Sequence, residues 1–274
     1  MRKSIRNISL SGGEPFLCKN LILIIKKIRK VSSRARIVIS TNGILVDLIQ
    51  TRMREILKID PNTAIRVSLD GIGNIHNQIR GSPSAYNNVI RSIDLLKKLG
   101  VKDLGVQFTI INDNVDQLIP VYNLTKKLEI NFICQVAHSS YFYFQADNPD
   151  IKQKDILIRE LNCLIYSELK TFNLYKLFKT YYYRGMIDYL INSPKRKRCF
   201  AGSLFCYINT KGEIYPCIML NEKMGDLRER GFSDIWQSKT ANLAREKVKH
   251  CKKNCWLICT VAPIIKDNPF KALP

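Results

Sequence analysis

Six of the nine cysteines in this 274-residue chain lie after residue 198, at Cys199, Cys206, Cys217, Cys251, Cys255 and Cys259. Thiols at that density point to metal ligation rather than disulfides, because the opening Met-Arg-Lys-Ser-Ile-Arg-Asn carries charge with no apolar signal-type run behind it. From spacing alone a tetrathiolate zinc site competes with an iron–sulfur cluster, and His250 beside Cys251 adds to the zinc alternative. Cys18, Cys134 and Cys163 have no ligand spacing and read as buried free thiols. The second chemical feature is Leu10-Ser11-Gly12-Gly13-Glu14-Pro15. Two adjacent glycines at a strand end let backbone approach a small molecule closely, and a carboxylate just beyond them can hold an amino group.

Those residues need elements to position them. Short β-branched runs end near Leu10, Ser40, Leu69, Ile110 and Ala137, separated by stretches long enough for a helix. Leu21, Ile24, Ile25, Ile28 and Val31 fall at helical spacing, as do Val89, Ile93 and Leu96 behind the cap candidates Ser82 and Ser84. Gly100 reads as a helix stop, and 114–128 as a further helix carrying Pro120 near its start. The repeat suits βα units and a parallel sheet or barrel. Every polar oddity of the first half stands at a strand end, where parallel α/β barrels build their active sites. These are Gly12 to Pro15, Ser40-Thr41-Asn42-Gly43, Ser68-Leu69-Asp70-Gly71 with His76 and Arg80, and Gln107 with Thr109. Taken singly, Ser-Thr-Asn-Gly and Leu-Asp-Gly are ordinary turn sequences.

In this order and spacing, the set resembles the radical S-adenosylmethionine (SAM) family. The resemblance implies that Gly12, Gly13, Glu14 and Pro15 meet the methionyl amine of SAM, that Ser40 and Asn42 lie beside it, and that Ser68 contacts its ribose or carboxylate. It places Arg80 for the carboxylate, with Asp70 and Gln107 in the same cavity. The family also carries a Cys-x3-Cys-x2-Cys triad upstream of Gly-Gly-Glu to hold a 4Fe-4S cluster, and residues 1–17 contain no cysteine. The expectation is an N-terminally incomplete protein whose SAM-binding cluster has no ligands in this chain, and which by itself does not cleave SAM to a 5′-deoxyadenosyl radical.

Cys199-x12-Gly212-x4-Cys217, followed by Cys251-x3-Cys255-x3-Cys259, resembles the SPASM or twitch auxiliary-cluster domain, with fewer cysteines than the full SPASM pattern. A hairpin turning at Gly212 brings two of the cysteines near each other, and the distant group closes the site. This implies one auxiliary 4Fe-4S cluster, with Cys199, Cys217, Cys255 and Cys259 as first choices and Cys206 and Cys251 open. The fold implied is α/β: a partial (β/α)6 TIM-like radical SAM barrel lacking its first βα unit, then a small Cys-rich domain. The corresponding domains are 1–149, a helical connector 150–194, and 195–274.

Lys and Arg number 44 against 23 Asp and Glu, a net charge of +21 spread along the whole chain. Lys195-Arg196-Lys197-Arg198 is the one tight basic run. Such a balance suits solvated basic faces first and an acidic partner second. Peptides or proteins are the substrate class that the SPASM resemblance implies, alongside an electron donor; nucleic acid is the less favoured partner. The alternative function is a non-catalytic Fe–S or zinc protein with a basic RNA-binding surface. Tyr181-Tyr182-Tyr183 invites base stacking, but consecutive helix positions diverge, which favours ordinary packing. The longest early apolar run, Leu21 to Ile25, is far too short to span a bilayer, so the chain reads as cytoplasmic with no membrane contact.

Overall fold

In the computed structural model, residues 5–145, 148, 150–170, 173–192 and 199–267 are described. The first half alternates strand and helix: β1 (Asn7–Leu10), α1 (Leu21–Val31), β2 (Arg36–Thr41), α2 (Val46–Ile59), β3 (Ala64–Ser68), α3 (Asn74–Arg80), α4 (Ala85–Lys98), β4 (Leu104–Ile110), α5 (Leu118–Lys127) and β5 (Asn131–Val136). The strands form one sheet in sequential order. The register, Leu10 on Ile39, Ser40 on Arg66 and Ser68 on Gln107, is parallel throughout β1 to β4. The fold is therefore α/β with a parallel five-stranded sheet.

Alternation along the strands explains the sheet's two faces. Ile37, Ile39, Ile65, Val67, Val106 and Phe108 are fully buried on the face that carries the helices. Burying each stabilises the fold by about 1.5–3 kcal/mol. On the other face the same strands place Ser40, Arg66, Ser68, Gln107 and Thr109, all half-buried. Arg66 and Arg36 share Asp103 at the strand starts, so charge there is neutralised away from the strand ends. Their guanidinium groups hold the Asp103 carboxyl below the usual range, although its burial acts the other way.

The helix read over 114–128 begins later than its periodicity suggests. A 3-10 turn, Asn112–Gln117, is broken at Asn114 (φ −141°), and α5 starts at Leu118. Pro120 thus falls in the first turn, where a missing N–H costs nothing. The remaining elements are the one-turn α6 (Tyr141–Phe144), α7 (Lys154–Leu169), α8 (Leu174–Leu190), β6 (Tyr207–Ile208), β7 (Glu213–Tyr215), β8 (Gly225–Asp226), α9 (Phe232–Trp236), α10 (Lys239–Lys249) and α11 (Ile258–Asp267). β6, β7 and β8 form a second, antiparallel sheet.

Contacts group the chain into two compact units, residues 1–134 and 135–274. In the second, α7 packs along α8 over a buried Glu168–Lys179 ion pair. Tyr182 and Tyr183 are fully buried in α8 and pack there, while Tyr181 is half-buried with its ring centroid 6.0 Å from that of Trp256. Of the three cysteines without ligand spacing only Cys134 is buried; Cys18 is exposed in the loop between the 3-10 turn Pro15–Leu17 and α1, and Cys163 is exposed on α7 outside its buried row Leu157, Leu161 and Leu164. Lys195 to Arg198 lie outside the described residues. No described helix is long and apolar enough to cross a membrane.

Candidate functional site

Glu14 ends the Gly-Gly segment, and its carboxylate is held by three donors. Oε1 accepts the Phe16 backbone N–H (3.1 Å) and the Thr41 hydroxyl (2.9 Å), and Oε2 accepts the Asn42 N–H (2.7 Å). A carboxylate offers about four acceptor positions, so this one is fixed in place with capacity left for a further donor. Asn42 Oδ1 takes the Ile44 N–H, and Gly43 turns the chain at φ +72°. A Cβ at Gly43 would stand 2.6 Å from a Val67 methyl. Around Gly12 and Gly13, by contrast, no atom lies within 4 Å of where a Cβ would be. Pro15 is buried at the start of the 3-10 turn that Glu14 caps.

The loops after β3 and β4 are tied to each other. Asp70 Oδ2 pairs with Arg80 Nη2, and its Oδ1 accepts the Thr109 N–H at 2.8 Å. The Asp70 N–H donates to His76 Nδ1 (3.0 Å), and Asn114 Nδ2 donates to the Asp70 and Thr109 carbonyls (2.9 Å each). Gln117 Oε1 accepts the Ile72 N–H at 3.2 Å. Burial raises the Asp70 carboxyl, against the pull of Arg80. Burial, then the Arg80 charge, lowers the His76 imidazole to about 4. His76 is therefore neutral, with Nδ1 accepting and Nε2 carrying the proton; Nε2 is buried with no partner. Arg80 gives Asp70 one of its five N–H donors, and its Nε is buried without a hydrogen-bond partner. Ser68 and Gln107 are register neighbours on the half-buried sheet face, and Ser40 stands on that face one strand away.

In the second unit, five thiols influence one another. Burial, then the charges of Cys199, Cys217, Cys251 and Cys259, pushes the Cys255 thiol up to about 12. Cys259 is also pushed up to about 12, by burial and by Cys217 and Cys199. Burial raises Cys217 and Cys199 as well, with smaller effects from neighbouring thiols. Cys217, Cys255 and Cys259 pack in one apolar cluster with Ala201, Met219, Val248 and Leu257. Cys206 is raised to about 11 by burial alone and packs in a different cluster, with Ile214, Met224 and Ile235. The described residues include no three His, Cys, Asp or Glu side chains already at metal-binding spacing.

Residues 1–124 match the Radical SAM superfamily, and residues 199–260 match SPASM, an iron-sulfur cluster-binding domain. This is a radical SAM protein with a C-terminal SPASM domain. The AdoMet-dependent heme synthase of Methanosarcina barkeri (strain Fusaro) is 24% identical over 84% of this chain and 67% of its own length. The GTP 3′,8-cyclase of Clostridium botulinum (strain Okra) is 25% identical over 82% of this chain and 68% of its own. Across the curated relatives, the chain spans as little as 28% of the matched protein. The fold is shared with anSMEcpe with bound AdoMet (TM-score 0.64, 15% identity, 99% of this chain and 83% of that one). It is also shared with Streptococcus suis SuiB bound to precursor peptide SuiA (TM-score 0.60, 17% identity, 85% and 54%). The relatives are enzymes, and SAM and Fe–S clusters are the cofactors of these families.

The donor types of this radical SAM protein suit both groups, although no three of the described thiols already stand at metal-binding spacing. Five clustered thiols that repel one another as thiolates call for a cationic centre, and an uncovered Gly-Gly segment beside a fixed carboxylate suits an ammonium-bearing ligand. Thr41 and Asn114 were not among the expected site residues, although they fix Glu14 and Asp70, which were; Gln117, also unexpected, holds the Ile72 N–H in the loop after Asp70. Thr41 stood inside a recognised stretch. Asn114 had a weaker signal, an Asn interrupting a helical pattern just past a strand end.

Proposed function

We propose that these residues belong to an enzyme that cleaves SAM reductively and acts on a peptide or protein. The observation that carries the proposal is Glu14, held by three donors beside uncovered Gly12-Gly13 with acceptor capacity to spare. When bound, SAM and a reduced cluster supply a 5′-deoxyadenosyl radical for hydrogen abstraction. In this reading Glu14 accepts from the SAM ammonium, and the Gly12-Gly13 and Pro15 backbone lets the methionyl end approach. Ser40, Asn42, Ser68 and Gln107 offer hydroxyls and amides to the ribose and carboxylate. Asp70 fixes Arg80 for the carboxylate.

Cys199, Cys217, Cys255 and Cys259 hold one auxiliary 4Fe-4S cluster, Cys251 stands next to them, and Cys206 serves its own apolar cluster. The domain division 1–149, 150–194 and 195–274 belongs to the same proposal. The peptide class is supported by the shared fold with SuiB bound to SuiA.

Equilibrium dialysis with labelled SAM tests the site. Glu14→Gln removes the charge that the ammonium meets and should weaken binding about tenfold or more. Unchanged affinity would overturn the assignment.

A further inference from the structure

Residues 138–140, directly after β5, reach both cysteine-bearing segments of the second unit. His138 Nδ1 lies 2.7 Å from the Val136 carbonyl oxygen, which only accepts, so Nδ1 carries the proton and Nε2 presents a lone pair. That lone pair accepts the Trp256 backbone N–H at 3.1 Å. Two residues on, the Ser140 hydroxyl donates to the Ile218 carbonyl at 2.6 Å. Trp256 directly follows Cys255, and Ile218 directly follows Cys217. Neither segment belongs to a helix or strand, so no backbone ladder sets its position. Both side chains are buried, His138 to 3% and Ser140 to 5% exposure, and the His138 ring stacks on Tyr189 at 4.9 Å. A buried bond of this kind fixes geometry because breaking it strands a polar group.

We propose that His138 and Ser140 are positioning residues for the thiol group, holding the Cys255 and Cys217 segments to one short stretch of chain so that both cysteines face a common centre. The inference rests on the reading of these cysteines as ligands of one cluster. Outer partners of this sort act on metal retention while touching no metal.

The test compares the wild type with His138→Ala, Ser140→Ala, the double variant, and the conservative His138→Gln and Ser140→Thr. After anaerobic reconstitution, iron loss to a chelator is followed by absorbance. In the iron-free chain, alkylation of Cys217 and Cys255 is followed by mass spectrometry, with exposed Cys163 as internal reference. Each alanine variant should lose iron about tenfold faster, the double variant faster still. Gln, which keeps an acceptor, and Thr, which keeps a hydroxyl, should restore most of the retention. In the iron-free chain both cysteines should alkylate faster in the alanine variants. Unchanged iron loss together with unchanged alkylation would overturn the proposal, as would equal losses in the conservative and alanine variants. If the wild type takes up no iron, the cluster reading fails by itself, and alkylation then decides: faster labelling supports the positioning role and unchanged labelling overturns it.

Discussion

The Gly-Gly-Glu corner and the thiol group solve opposite problems. Around Glu14 and Asp70 the carboxylates already accept backbone N–H groups and meet a guanidinium or a hydroxyl. Their geometry is set by hydrogen bonds within the protein, and a ligand would find it formed. Around Cys255 the thiols repel one another on ionising, and burial adds to the cost. Their positions are set by neighbours such as His138, Ser140 and Trp256, and their charge state is left to whatever cation they bind. A polar site can be preorganised without its ligand, whereas a thiolate site can be placed in advance but not charged.

The largest expected effect breaks the first region. Asp70→Ala removes the partner of Arg80 and the acceptor of the Thr109 N–H. It should lower unfolding stability by about 3 kcal/mol in a denaturant titration, while leaving iron uptake by the thiols unchanged. A loss below about 1 kcal/mol would show that the loop network is not what fixes this corner.

Gly185→Ala addresses the second region. Its Cβ would stand 1.9 Å from the Trp256 ring, whose Nε1–H donates to the Tyr182 carbonyl at 2.8 Å. The ring must move, at about 1–3 kcal/mol, and the adjacent Cys255 moves with it. Chelator-driven iron loss should therefore quicken in this variant, and Trp fluorescence should report the displaced ring.

The third effect is a pH dependence, spread over more than two pH units rather than concentrated in one substitution. His76 titrates near 4 in the fold against 6.5 for an ordinary imidazole, with burial the main cause and the Arg80 charge the second. Between those values the unfolded chain takes up a proton that the folded chain does not. Stability is therefore complete above pH 6.5, falls as pH drops from 6.5 toward 4, and has no further contribution from His76 below that. The slope is at most about 1.4 kcal/mol per pH unit. His76→Gln should flatten this part of a stability-against-pH curve, and an unchanged curve would assign the slope to other groups.

The sheet was legible because its strands are β-branched runs that stop at Gly, Asn or Asp, and the observed strands end within a residue or two of the positions read. Pro120 was legible too, once its place in the first turn of α5 is known. The start of that helix was not, since Asn114 turns its side chain to the Asp70 and Thr109 carbonyls and breaks the pattern in doing so. Sequence placed Cys206 among the ligand candidates because spacing cannot say which side of a hairpin a thiol packs on. Nor does spacing tell that position 138 meets position 256, a contact made by three-dimensional packing alone. The same limit applies to Cys18, in the loop before α1, and to Cys163 on α7, because spacing does not say which side of a segment faces solvent.

Anaerobic reconstitution of this chain, with iron and sulfide quantified beside the ultraviolet-visible spectrum, tests the central claim most directly. The thiol group should take up about four irons with matching sulfide and a broad thiolate-to-iron band near roughly 400 nm, all lost in Cys199→Ala plus Cys217→Ala. One tightly held zinc with no iron would contradict it and make the domain a structural metal site.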